Sequence, residues 1–126
     1  MELKKIAKFQ KDFDLKHFPA FWKIKSEEDF LSRLEYLAIA LAGEVGEFAN
    51  LVKKIRRRFD NLEKKISKDI FEKLKEELTD VFIYVLISSN LLKMDLEKEY
   101  FKKMKINEKK FREFRKKNEK IYDKKK

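Results

Sequence analysis

Apolar residues recur at helical spacing along nearly the whole chain. Leu3, Ile6, Phe9 or Gln10, and Phe13 form the first stripe and predict a helix from about Glu2 to Leu15. A proline-containing loop rich in aromatics follows, His17-Phe18-Pro19-Ala20-Phe21-Trp22. Ser26 has the side chain of an N-cap, and Glu27, Glu28 and Asp29 place negative charge in the next turn, where the helix dipole favours it. The second helix then carries Leu31, Leu34, Leu37, Leu41, Val45, Phe48 and Val52 to about Arg57. Phe59 to Ile66 reads as a charged connection, and Ser67, with Asp69 behind it, opens a third helix bearing Phe71, Leu74, Leu78, Val81, Phe82, Val85 and Leu86 to near Leu92. Asp95 caps a fourth, whose stripe of Leu96, Tyr100, Met104, Phe111 and Phe114 is thinner, and residues 118–126 are expected to fray.

The predicted architecture is all-α: one domain over residues 1–126, a four-helix up-down bundle-like protomer. Two glycines and one proline leave few turns, and abundant Lys, Glu, Leu and Phe fill long helices. The middles of helices two and three, Tyr36 to Ala42 and Val81 to Ile87, are apolar nearly all round, unlike the single stripe of a surface helix. Four helices cannot cover both, so a homo-oligomer, dimer or tetramer, is expected.

Charge and composition narrow the chemistry. The chain has no cysteine and a single histidine, His17, which excludes thiolate and multi-histidine metal sites. Charged residues near Met1 and the lack of any long apolar run point to a cytoplasmic protein with no membrane partner. Thirty-three Lys and Arg against 23 Asp and Glu give a net charge of +10, which attracts polyanions without choosing among them. Much of the excess lies in Lys53 to Arg58 and in the tail from Lys109, where a solvated helix face is the plain alternative.

Against this background two acidic pairs stand out, Glu44-Val45-Gly46-Glu47 and Glu77-Leu78-Thr79-Asp80. Residues three apart share a helix face about 5–6 Å apart at Cβ, so each pair projects two carboxylates one way. If the two helices pack side by side, four acids converge, and their mutual repulsion in a low dielectric calls for a hard divalent cation with oxygen ligands. The competing reading pairs each acid with one of the many lysines. A carboxylate-bridged di-iron centre would need Glu-x-x-His pairs, and His17 lies on neither helix. Gly46, costly inside a helix by about 1 kcal/mol, is expected to mark close approach of a neighbouring helix or a ligand.

The stretch Leu41-Ala-Gly-Glu-Val-Gly-Glu-Phe-Ala-Asn50, with Glu76-Glu-Leu-Thr-Asp-Val-Phe-Ile-Tyr84, resembles the E-x-x-E…E-x-x-D signature of the MazG-like all-α nucleoside triphosphate pyrophosphohydrolases and the related dCTP pyrophosphatases. The likeness runs from about Leu37 to Phe111. Met94-Asp95-Leu96 is similar to the family's link into its last helix, and Lys103, Asn107 and Lys110 match its K-x-x-x-N-x-x-[RK]-[FY] stretch. The chain departs in three ways. Glu47 and Glu77 are 30 positions apart, which demands a long connection. Lys54 stands where some dCTP-specific members carry a bulky aromatic. The lysine-rich approach and the Ala-Asp of the phosphoribosyl-ATP pyrophosphohydrolases are replaced by Ala40-Leu-Ala-Gly and Thr79-Asp80.

The resemblance implies that Glu44, Glu47, Glu77 and Asp80 hold one or more Mg²⁺ ions, with Mn²⁺ as an alternative, that bridge a nucleoside triphosphate. A polarised water then attacks phosphorus and releases pyrophosphate, with Glu47 the choice for the base. The role implied is cleansing or control of the nucleotide pool. Substrate-binding candidates are Trp22, Lys53, Lys54, Tyr84, Lys103, Asn107 and Lys110. All but Asn107 have a plainer reading: loop-to-core packing for Trp22, core for Tyr84, solvated surface for the lysines. A basic helical module that binds nucleic acid is the alternative function, and it gives the acids no purpose.

Overall fold

The computed structural model describes residues 2–124, apart from the side chains of residue 63 and residues 120–124. Its helices are α1 (Glu2–His17), α2 (Glu27–Arg58), α3 (Lys68–Leu91) and α4 (Leu96–Lys124), and no strand occurs among the described residues. A 3-10 turn, Pro19–Trp22, joins α1 to α2.

The helix starts follow from local hydrogen bonding. The Ser26 hydroxyl accepts from the Asp29 backbone N–H at 3.1 Å, and Asp29 Oδ2 reaches back to accept from the Lys25 N–H at 2.9 Å. The first bond satisfies a donor that an uncapped helix leaves bare, and the second ties the entering chain to the first turn. Ser67 does the same more weakly for Ile70 at 3.4 Å. Asp95 caps α4 by accepting from the Lys98 N–H at 3.2 Å, and Lys4 lies 3.3 Å from its other oxygen. The Lys98 N–H, with Lys4 behind it, holds the Asp95 carboxyl below the usual range.

The α2–α3 hairpin is the spine of the molecule, and α1 lies along α3. Leu37, 1% exposed, Leu86 and Leu91 are its buried apolar centre. The α1 face that packs inward keeps only Leu3 and Gln10 of the expected stripe. Leu3, Ala7, Gln10, Lys11 and Asp14 point in, while Ile6, Phe9 and Phe13 are exposed, Phe9 at 74%. The reason is polar: Gln10 Nε2 donates to Asp14 Oδ1 at 3.0 Å, and Asn90 Nδ2 of α3 donates to the Ala7 carbonyl at 2.9 Å. The Asn90 bond ties this side of α1 to α3, and the Gln10–Asp14 bond lies within α1.

Two further expectations change. The charged connection after α2 is a π-helical turn, Phe59–Glu63, closed by Lys64 in the left-handed region (φ 49°). Arg56 and Asp60 pair across it at 3.1 Å. Gly46 is not a point of helix contact in the protomer, since a Cβ there would meet nothing within 4 Å.

The compact four-helix arrangement is realised for three helices. α4 makes its main contact with α1, near Asp95, and runs on mostly clear of the others. Beyond Glu97 every described side chain on it is exposed except Asn107 and Asn118, which are half-buried. The backbone stays helical to Lys124, through most of the stretch expected to fray, and residues 125–126 lie outside the described part. No helix among the described residues is long and apolar enough to cross a membrane.

Candidate metal and nucleotide site

The hairpin sets the site by register. α2 and α3 run antiparallel, with Glu44 facing Glu77 and Asp80 and, further along, Leu37 beside Tyr84 and Ile87. Carboxylate oxygens of Glu44, Glu77 and Asp80, all half-buried, lie within 4.8 Å of one another. Octahedral Mg²⁺ with bonds of about 2.1 Å needs ligand oxygens about 3–4 Å apart, so a small contraction would bring these three into its shell.

The donor set suits a cation. Glu44 Oε2 and Glu77 Oε2 are buried and make no hydrogen bond. The ion pairs between described residues are Lys4–Asp95, Lys8–Asp12, Arg56–Asp60, Lys75–Glu72 and Arg112–Glu108, and none involves the four acids. Loss of solvent first, and then the charges of Glu47 and Asp80, push the Glu44 carboxyl above the ordinary range. The lysine-pairing alternative therefore has no counterpart among the described residues. Glu47 stands apart from the three. It is exposed, yet close enough to Glu44 to hydrogen-bond and repel it.

One turn further along α3, and two turns back along α2, a cavity of about 160 Å³ opens between α1, α2, α3 and the 3-10 turn. Asp14, Phe18, Phe21, Trp22, Tyr36 and Tyr84 line it, with Leu37 and Ile87. Arg33 of α2 holds the 3-10 turn in place beside it. Its Nε donates to the Phe21 carbonyl at 2.7 Å and its guanidinium lies 5.7 Å from the Phe21 ring, which anchors the turn to α2. Lys11 sits 5.1 Å over the Trp22 ring. Burial, then the nearby Tyr36 and Glu44, push the Tyr84 hydroxyl up, so it stays a proton donor.

The cavity and the acid cluster bring together Trp22, Tyr84, Glu44, Glu77 and Asp80, with Glu47 beside them. Lys53 and Lys54 lie exposed further along α2. Lys103, Asn107 and Lys110 are on the projecting part of α4 and line neither feature. Asn107 Nδ2 has a contact to Met104 Sδ at 3.9 Å. Asp14 and Tyr36 escaped the sequence reading. Asp14 sits among apolar neighbours on a helix, but one acid on a lysine-rich amphipathic helix carries no signal of its own.

An all-helical hairpin with an E-x-x-E pair facing an E-x-x-D pair has a match among known families. The profile of the MazG nucleotide pyrophosphohydrolase domain fits residues 32–118, which takes in nearly all of α2, all of α3 and most of α4. The chain belongs to the MazG nucleotide pyrophosphohydrolase family. A relative, the Gene 37 protein of Mycobacterium phage L5, is 41% identical over 64 residues, 51% of this chain and 54% of its own length. The match thus spans about half of that relative. No solved structure gives a significant match. The MazG domain contains the acid cluster, Tyr36 and Tyr84, while α1 and the 3-10 turn, which supply Asp14 and Trp22, precede it.

Proposed function

We propose that this MazG-family protein is a Mg²⁺-dependent nucleoside triphosphate pyrophosphohydrolase that yields the monophosphate and pyrophosphate. One observation carries the reading: three carboxylates from two helices converge, two with buried unpartnered oxygens, and no described cation pairs with them. Glu44, Glu77 and Asp80 would hold the ion, with Mn²⁺ as a substitute. A divalent cation there would supply Lewis-acid neutralisation of the triphosphate and activation of water. Glu47, exposed beside Glu44, is the residue left to take the proton from the attacking water. The adjacent aromatic cavity takes the base, with Trp22 as a stacking surface and Tyr84 between base and phosphates. Lys53 and Lys54 draw the polyphosphate toward the site by charge.

The working unit is a homo-oligomer, a dimer or a tetramer. Ile39 on α2 and Leu78 and Phe82 on α3 are exposed in the protomer, as are Phe101, Phe111 and Phe114 on α4. A second copy covering them would also bring Lys103, Asn107 and Lys110 to a neighbour's nucleotide. The role is cleansing or control of the nucleotide pool in the cytoplasm.

Pyrophosphate release from a panel of canonical and modified ribo- and deoxynucleoside triphosphates tests the reading. Release that needs Mg²⁺ and stops with chelator is expected. Absence of release from every member, alongside steeply salt-dependent binding to nucleic acid, would favour the basic helical module instead.

A further inference from the structure

The cavity beside the acids holds a polar group to which the proposed hydrolysis assigns no task. Asp14 is 4% exposed, among the most buried side chains described. Its Oδ1 accepts from Gln10, while Oδ2 is buried with no partner. A carboxylate deprived of solvent and half-satisfied costs stability, and a ligand that supplies the missing donor accounts for its retention. Asp14 lines the aromatic cavity, and so does Trp22, whose indole Nε1 is also buried without a partner. A ligand for this cavity must therefore be flat and aromatic, and must present a hydrogen-bond donor to the acid. The space takes one six-membered ring, the ring that carries the exocyclic group in pyrimidines and purines alike, since an apolar cavity of about 150 Å³ admits benzene.

We propose that Asp14 reads the edge of the nucleobase, accepting a hydrogen bond from an exocyclic amino group, so that amino-bearing bases are preferred over their oxo counterparts. The inference rests on the reading of the adjacent acids as a triphosphate site, which puts a nucleotide's base in this cavity. A carboxylate accepts from the amino group of cytosine and repels the carbonyl that uracil offers at the same position. The same contrast separates adenine from hypoxanthine. Gln10 fixes the geometry by occupying Oδ1, so Oδ2 alone is free to meet the ligand. The selectivity residue thus comes from α1, outside the matched family segment.

Trp22 is the chain's single tryptophan, so its fluorescence reports occupancy of the cavity directly. The full chain in Mg²⁺ buffer is titrated with deoxycytidine, deoxyuridine, deoxyadenosine and deoxyinosine, which carry no phosphate and cannot be hydrolysed. Deoxycytidine should bind about tenfold more tightly than deoxyuridine, and deoxyadenosine than deoxyinosine. In Asp14→Asn, Gln10 keeps the amide oxygen in place and turns the amide N–H₂ toward the cavity, so the preference should reverse. In Asp14→Ala it should fall to about one. Equal binding of all four nucleosides by the unaltered chain, no binding of any, or an equal loss for all four in both variants would overturn the inference. Pyrophosphate release measured on the same preparations keeps the two readings apart. Hydrolysis without base preference sinks only the role of Asp14, and base-selective binding without hydrolysis sinks only the enzymatic reading.

Discussion

The α2–α3 hairpin, apolar through its middle, and the projecting, more highly charged α4 fall short in opposite ways. In the hairpin, polar atoms lack partners: Glu44 Oε2 and Glu77 Oε2 are buried without a hydrogen bond beside a third carboxylate. On α4, apolar surface lacks cover: Phe101, Phe111 and Phe114 are each 57–61% exposed on a helix that barely touches the protomer. A buried anion is relieved by a cation, and exposed aromatic surface is relieved by more protein. The two regions thus call for different partners, an ion with its substrate and a second copy of the chain. That contrast can be broken experimentally.

The largest effect is expected on α4. Replacing Phe111 and Phe114 with glutamate removes two aromatic anchors, each contributing about 1.5–3 kcal/mol if buried between copies. Association should weaken by about 10²–10⁴-fold, read by sedimentation at micromolar concentration. An unaltered chain that is already a stable folded monomer would end the account of α4.

A smaller effect belongs to the hairpin. Mg²⁺ at about 100 times its dissociation constant should stabilise the protein by about 2.7 kcal/mol, seen as a rise in melting temperature. The α4 double variant should show the same rise, because its substitutions lie away from the acids. Loss of the Mg²⁺ shift in that variant would mean that the cluster depends on the neighbouring copy and that the two regions are not separable.

The smallest effect is a pH dependence at Asp14, whose carboxyl burial pushes up against the opposing hydrogen bond from Gln10. With the folded value raised, the native state binds more protons than the unfolded chain between the ordinary value of about 3.9 and the folded one. Stability from this group therefore falls as pH rises through that window, and the penalty is complete above it. Asp14→Asn should be the more stable protein at pH 7, with the gain fading as pH drops toward 4. A gain that persists unchanged in acid would show that the carboxylate's charge is not its cause.

Much of this was legible beforehand because local chemistry decided it. Ser26, Ser67 and Asp95 cap their helices through side-chain oxygens, so those starts are written in sequence. The two acidic pairs were legible for the same reason: three-residue spacing fixes a face. What was not legible depended on which neighbour a face meets. Ile6, Phe9 and Phe13 mark a surface that wants cover, but the bond from Asn90 to the Ala7 carbonyl ties another face of α1 to α3. Asp14 gains its interest only when the 3-10 turn, held by Arg33, closes a cavity over it. The π-helical turn likewise has no glycine to announce it, since Lys64 takes the left-handed position itself. Gly46, an apparent contact point, faces open space.

The central claim is that Glu44, Glu77 and Asp80 are held together for a cation. Asp80→Asn tests it most directly, because the change is nearly isosteric and removes one charge from a cluster of like charges. Pyrophosphate release should fall by at least about 10²-fold, on the scale that removing even an indirect ligand contact costs. The metal-free variant should melt at or above the temperature of the unaltered protein, and Mg²⁺ should raise its melting temperature less. A variant that is markedly destabilised without metal, by the about 3–5 kcal/mol that stranding a buried partner charge costs, and that still releases pyrophosphate would contradict the account.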